Sequence, residues 1–207
     1  MSPILQIIFS KSLSTGTVPE LWKMANVAPI YKKGSKSDPA NYRPISLTCI
    51  LCKTLEHIVS SSITKHFTTS NLFYELQHGF REKRSCQTQL LMLVDDLMKA
   101  VNLKEQTDLI RLDYNKAFDK VHHEKLLYKL HFYGIRGETL FWIKSFLDNR
   151  SHYVVINGSL SKRIPVSQGS VIGPLFFLIY INDLSEHVTC KHRLFADDTA
   201  ILSLTQI

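Results

Sequence analysis

The sequence predicts an α+β fold in which short strands carry acidic residues and helices lie between them. Three observations support this. Apolar residues recur at helical spacing in several separate segments. Short apolar, strand-like runs alternate with these segments; one ends at Asp113 and another surrounds Asp197 and Asp198. No repeat, low-complexity tract or linker interrupts the order, so residues 1–207 read as one continuous domain.

The elements follow in order. Val27 to Tyr31 reads as a strand, and Arg43 to Leu47 as the strand returning beside it. Between them, Lys32 to Asn41 (KKGSKSDPAN) is the most polar stretch and reads as a flexible basic loop. Ile50, Leu51, Leu55, Ile58, Val59 and Ile63 predict a helix with one apolar face. Leu90, Leu91, Leu93, Val94, Leu97 and Met98 predict a second. Asp108 to Asp113 is a short strand whose end places an aspartate at a rim. Glu124 to Phe132 predicts a helix that Gly134 can end, and Thr139 to Leu147 repeats the helical spacing. His152 to Ile156 and Ser161 to Val166 flank Asn157-Gly158 and predict a hairpin. Pro174 opens an apolar helix reaching Leu184. Arg193 to Leu204 reads as two β segments around Ala196-Asp197-Asp198.

Composition narrows the function. The chain has 25 Lys+Arg against 18 Asp+Glu, a net charge of +7. That excess suits a phosphate-rich partner, since each cation that neutralises a phosphate releases a counterion. Four cysteines are too sparse for a disulfide framework. The start lacks the pattern of a secretory signal. The longest apolar run, Val171 to Ile181, is 11 residues and contains Gly173 and Pro174, too short for a bilayer span. The expectation is an intracellular protein of cytoplasm or nucleus, neither secreted nor membrane-bound. Cys49 and Cys52 fall on a predicted helix and read as core thiols rather than metal ligands. His187, Cys190 and His192 have ligand-like spacing but lack a fourth ligand. Trp22 and Trp142 fit core packing, with base stacking as the alternative.

The acidic residues carry the chemistry. Adjacent carboxylates between apolar flanks repel each other and resist desolvation, and a divalent cation removes both objections. Mg²⁺ prefers carboxylates together with substrate phosphates. Two such ions can clamp the attacking and leaving oxygens of an in-line transfer, and a pair needs a further carboxylate, for which Asp113 is the best candidate. Asp197-Asp198 alone would fit a plain hairpin turn equally well.

The surrounding motifs decide between these readings. Leu112-Asp113-Tyr-Asn-Lys-Ala117-Phe118-Asp119 resembles motif A of reverse transcriptases from non-LTR, LINE-type retrotransposons of the jockey and CR1 kind. Phe195-Ala196-Asp197-Asp198 resembles their motif C, and Ser167-Gln168-Gly169-Ser170 with Gly173-Pro174-Leu175 their motif B. Tyr42-Arg43-Pro44-Ile45-Ser46-Leu47 resembles the fingers motif, and Gln77-His78-Gly79-Phe80-Arg81 the segment between fingers and palm. They occur in family order across roughly residues 17–200. A viral RNA-dependent RNA polymerase fits less well: such enzymes usually carry Gly-Asp-Asp and a small polar residue where Phe118 stands.

The resemblance implies a right-hand polymerase fold with fingers (about 1–105), part of a palm (about 106–207) whose antiparallel sheet packs on helices, and no thumb. A palm cut short in this way is expected to leave the hairpin with an open edge. The implied reaction is RNA-directed DNA synthesis on an RNA template and DNA primer, using dNTPs and two Mg²⁺ ions for which Mn²⁺ can substitute. Asp113 and Asp197 become the principal metal ligands, with Asp198 as the third carboxylate. Phe118 becomes the gate against a ribose 2′-hydroxyl. Lys32, in competition with Lys33, and Arg43 grip the triphosphate, and Gln168 and Gly169 line the nucleotide and template base. Asp119 is expected to hold the turn after motif A. Ser167, where proline is usual, and Cys86, where threonine is common, depart from the pattern without touching a ligand. The competing reading is a truncated, inactive remnant that retains only nucleic-acid or nucleotide binding.

Overall fold

A computed structural model describes residues 2–114, 117–156, 158–165 and 170–205. In chain order the elements are α1 (Pro3–Ser14), β1 (Met24–Tyr31), β2 (Tyr42–Thr48), α2 (Ile50–Thr69), α3 (Cys86–Asn102), β3 (Gln106–Leu112), α4 (His123–Phe132), α5 (Gly137–Leu147), β4 (Ser151–Ile156), β5 (Ser159–Leu160), β6 (Ile164–Pro165), α6 (Gly173–Tyr180), β7 (Lys191–Phe195) and β8 (Asp198–Thr205). The mixed α+β class is as expected. The chain forms two compact units, each built from two stretches: residues 1–63 with 122–173, and 64–121 with 174–207.

The first unit is a sheet in the order β2-β1-β4-β5, with β6 also on β4, plus helices. β1 and β2 pair antiparallel from Ala25↔Thr48 to Tyr31↔Tyr42. β4 joins the other edge of β1 in parallel, from Met24↔Ser151 to Val27↔Val154. The α1 helix was not anticipated, because Ile4, Ile7 and Ile8 on it stay exposed and show no clean stripe. Trp142 settles the reading of the tryptophans. It is fully buried, donates from Nε1 to Ser12 Oγ at 3.1 Å, and stacks on Phe146 at 5.3 Å. Trp22 is also buried, edge-on to Phe9. The chain returning to β4 splits into β5 and β6 instead of forming one strand. Ser161 N–H still donates to the Val154 carbonyl at 3.0 Å, but its hydroxyl takes the Val154 N–H in place of its carbonyl, and the strand stops there. Asn157 of the turn lies outside the described residues.

Cys52 and Glu56 are both fully buried on α2. Burial, and then the adjacent Glu56 carboxylate, pushes the Cys52 thiol up to about 12. The cysteines are free thiols, and Cys52 is the core residue its spacing suggested. Glu56 has its own partners: Oε2 accepts the backbone N–H groups of Val171 at 2.6 Å and Ile172 at 3.3 Å. A buried carboxylate is tolerated when it is hydrogen-bonded, and here it ties α2 to the chain just after Gln168-Gly169.

The second unit holds a three-stranded antiparallel sheet in the order β3-β8-β7. β3 covers the outer side of β8, and β7 stands at the edge of the sheet, met at one residue by 76–78: Leu194 N–H donates to the Leu76 carbonyl at 3.3 Å and His78 N–H to the Leu194 carbonyl at 2.9 Å. The helix from Pro174 stops at Tyr180, short of Leu184. Asn182 explains the stop, since its side chain accepts from Tyr74 N–H and donates to the Leu72 carbonyl, both at 2.8 Å.

The α3 helix forms where its periodicity put it, capped by a reciprocal Ser85–Thr88 box. Its burial is the reverse of the expected pattern. Gln89, Asp96 and Ala100 are buried, whereas Leu90, Leu91, Val94 and Met98 are each more than half exposed. The reason is the ion pair on its inner side. Asp96 Oδ2 accepts from Arg193 Nε at 2.9 Å, and Asp96 also pairs with Lys191, so α3 is tied to β7 by charge. Among the described residues, no helix is long and apolar enough to cross a membrane.

Asp96 sets a prediction. Burial pushes its carboxyl up, but hydrogen bonds from Lys191 and Arg193, with their charges, override this and hold it below the ordinary value of 3.8. Removing it leaves Arg193 buried without its counter-ion. Asp96→Ala should therefore lower the amide-exchange protection of β7 and β8 by about 3 kcal/mol at neutral pH. Because the folded pKa is depressed, the contribution is complete above the unfolded value and is lost as pH falls through the folded one. The gap between wild type and Asp96→Asn should thus begin to narrow as pH falls below about 4 and close only below the depressed folded value.

Candidate active site

The acidic residues are placed by strand register. β3 and β8 pair from Gln106↔Thr205 to Leu112↔Thr199. Asp113 follows β3 immediately, one residue beyond the Leu112↔Thr199 pair, and Asp198, the first residue of β8, stands one residue beyond Thr199 at the same end of the sheet. Asp197 lies in the turn between β7 and β8, closed by the Phe195↔Asp198 pair. The structure therefore brings Asp113, Asp197 and Asp198 to one end of one sheet. Asp113 and Asp198 are exposed and Asp197 is half-buried, so their charges keep water contact.

The side chains stand open. Among the described residues, no set of three or more His, Cys, Asp or Glu groups closes into a metal cage. The donor set still fits Mg²⁺, which takes one or two carboxylates and fills its remaining positions with water and substrate phosphate. Arg111, two residues before Asp113 and on the same face, donates to Asp198 Oδ1 at 3.1 Å. The His187, Cys190 and His192 spacing does not form a site. Both His192 ring nitrogens are engaged, Nε2 with Tyr74 Oη and Nδ1 with the Cys190 carbonyl, each at 2.9 Å; the His187 side chain lies outside the described residues.

The turn carrying Asp197 is the most constrained backbone in the site. Ala196 has φ +54°, a left-handed conformation costing about 1–2 kcal/mol for a residue with a Cβ. Gln77 holds it there. Its Oε1 accepts the N–H groups of Ala196 and Gly79, both at 2.8 Å, and its Nε2 donates to the Ala196 carbonyl at 3.4 Å. Gly79 is packed so closely that a Cβ added to it would lie 2.2 Å from the Ala196 nitrogen. Beside the turn is a cavity of about 240 Å³ lined by Tyr114, Ala117, Phe177, Tyr180, Ala196 and Asp197. Phe118 is half-buried, 4.4 Å from the Phe177 ring and 6.2 Å from the Phe80 ring.

Lys32 and Arg43 belong to the other unit, on the β1–β2 hairpin. The register opposes Ile30 to Arg43, and Lys32 N–H donates to the Asn41 carbonyl at 2.9 Å. Lys32 thus continues the pairing one residue beyond β1 and stays on the Arg43 side of the hairpin, while Lys33 lies in the bend that follows. Both Lys32 and Arg43 are exposed. Gln168 and Gly169 lie outside the described residues; the segment after them is the one Glu56 holds.

In the sequence Gln77 and Gly79 stand out only as part of a motif, with no task of their own, and Glu56, Asp96 and Arg111 carry no local signal. A glycine between larger residues signals a close approach. Nothing local signals which buried polar side chain faces which backbone group.

Two outcomes follow. Gly79→Ala forces a backbone clash that no side-chain rotation relieves, and should cost at least about 3 kcal/mol of amide protection at residues 76–79 and in β7. Arg111→Gln removes an exposed cation from Asp198 and should tighten Mn²⁺ binding by about two- to fivefold, read by proton relaxation of water.

Comparison with known proteins identifies the family. The family model described as reverse transcriptase (RNA-dependent DNA polymerase) matches residues 30–206. The RNA-directed DNA polymerase from mobile element jockey of Drosophila melanogaster is 31% identical over 96% of this chain and 23% of its own length. The probable RNA-directed DNA polymerase from transposon BS of the same species is 30% identical, with the same coverage of 96% and 23%. The chain thus spans less than a quarter of these relatives. Among solved structures, an apo telomerase from Candida tropicalis matches with a TM-score of 0.61 at 13% identity, covering 97% of this chain and 48% of that one. That likeness is one of fold. With the family model covering most of its length, this chain belongs to the reverse transcriptase family.

Proposed function

We propose that this chain is the RNA-directed DNA polymerase domain of a non-LTR retrotransposon, adding dNTPs to a primer 3′-hydroxyl on an RNA template. The observation that supports the reading is the pairing of β3 with β8, whose last pair, Leu112↔Thr199, leaves Asp113 and Asp198 as the next residues at the end that carries the Asp197 turn. A chance Asp-Asp turn has no reason to share its end of the sheet with a third carboxylate.

In this reading the unit bearing the carboxylates belongs to the palm, and the unit bearing Lys32 and Arg43 to the fingers. Asp113 and Asp197 would hold divalent ions, Mg²⁺ or Mn²⁺, with Asp198 beside them. The ions would supply charge neutralisation on the transferring phosphate. Lys32 and Arg43 offer fixed cations to the triphosphate, on one face of their hairpin. The Phe118 ring, wedged against Phe177, cannot yield easily to an extra hydroxyl and so favours deoxyribose. Gln168 and Gly169 are assigned to the nucleotide and template base.

A second reading, a remnant that retains only nucleic-acid or nucleotide binding, is favoured by the exposure of Leu90, Leu91, Val94 and Met98 on α3, apolar residues of the kind that mark an interaction surface. One experiment separates the two: primer extension on an RNA template with dNTPs and Mg²⁺ or Mn²⁺, comparing this chain, Asp197→Asn, and the chain with its flanking coding sequence. The polymerase reading expects extension that falls by at least about 10³-fold in Asp197→Asn. Extension surviving that substitution would sink the catalytic assignment. RNA binding without extension, even with the flanking sequence restored, would favour the remnant.

A further inference from the structure

We infer that Gln77 is a positioning residue for the catalytic turn: its side-chain amide holds Ala196 in the left-handed conformation that presents Asp197. The inference rests on the proposed role of Asp197.

The geometry is that of a side-chain amide bridging the two backbone groups of one residue. Gln77 Oε1 accepts from Ala196 N–H at 2.8 Å while Gln77 Nε2 donates to the Ala196 carbonyl at 3.4 Å. The amide meets both backbone groups of a single residue. Its orientation is fixed, because a second donor, Gly79 N–H, converges on the same Oε1 at 2.8 Å, and only an oxygen can accept both. Gln77 is buried, so water does not compete for these bonds. The residue that is gripped needs the grip. Ala196 at φ +54° resists its own conformation, and Asp197 comes next in the chain. Gly79 completes the seat, since any side chain there would collide with the Ala196 nitrogen. Leu76 and His78 are meanwhile bonded to Leu194, two residues upstream, so the clamp is itself anchored to the strand that enters the turn.

A glutamine that merely filled the core would contribute volume. A clamp contributes a backbone conformation, and only the second role can be replaced at another site. Glycine adopts positive φ without the Cβ penalty. Ala196→Gly should therefore rescue loss of the clamp and has no reason to rescue loss of volume.

The test uses the whole chain as wild type, Gln77→Met, and Gln77→Met with Ala196→Gly. Methionine keeps the volume and removes both the acceptor and the donor. Amide exchange at residues 194–198 is read first, because it needs no activity. Gln77→Met should speed Ala196 exchange by about 30-fold or more, the loss of roughly two neutral hydrogen bonds, while β3 and α3 stay within about threefold of wild type. Mn²⁺ affinity, read by water proton relaxation, should weaken about tenfold in Gln77→Met and return to within about threefold of wild type on adding Ala196→Gly. Where the chain extends primers, kcat should fall and recover in the same pattern, with KM for dNTP nearly constant.

Unchanged Ala196 exchange in Gln77→Met overturns the inference. So does a loss of Mn²⁺ affinity that Ala196→Gly fails to recover, which would make Gln77 an ordinary core residue. Failure of the polymerase reading looks different: Asp197→Asn would then bind Mn²⁺ as wild type does, while the exchange data would still report on the clamp.

Discussion

Ala196 holds a backbone conformation that alanine disfavours, and the turn from β7 into β8 passes through that residue. Its φ places Asp197 in the turn and Asp198 at the head of β8, at the end of the sheet where β3 runs out into Asp113. The conformation persists because Gln77 satisfies both backbone groups of Ala196 and Gly79 leaves no room for the chain to shift. Strained residues survive only where the surroundings over-determine them, and this one has three hydrogen bonds of one amide and a backbone contact around it. The acidic site therefore depends on neutral groups, each exacting in shape.

Charge does the complementary work one strand away. Asp96 on α3 binds Arg193 and Lys191 of β7, the strand that leads into the turn. Buried ion pairs give little net stability when compared with an apolar replacement, but they resist being broken and define a register. A slip of β7 by one residue would exchange Arg193 for a neighbour and send it to the other face of the strand. In this way α3 helps fix where Phe195, Ala196 and Asp197 fall. The cost is visible on the helix itself, whose Asp96 faces inward while Leu90, Leu91, Val94 and Met98 face out.

Much of the architecture was legible residue by residue. β1 and β2, α2, α3, α4, α5 and the β7–β8 hairpin lie close to where apolar spacing, turn residues and glycine stops put them. Asp113, Asp197 and Asp198 were singled out by carboxylates beside apolar strands, and the register brings them to one place. The failures share a cause. The α1 helix lacks a stripe, the apolar helix ends early because Asn182 bonds to residues 72 and 74, and the returning strand splits at Ser161. In each case a polar side chain or an exposed surface overrode the local pattern.

The amino-acid sequence by itself determined the element types, the spacing of the motifs and the family, because periodicity and motif chemistry are properties of neighbours along the chain. Only the tertiary structure decided which buried polar groups meet: Gln77 with Ala196, Asp96 with Arg193, Glu56 with Val171 and Ile172. These partners stand 119, 97 and 115 residues apart along the chain. A hydrogen bond is satisfied by direction and distance in space, and no short-range pattern encodes either.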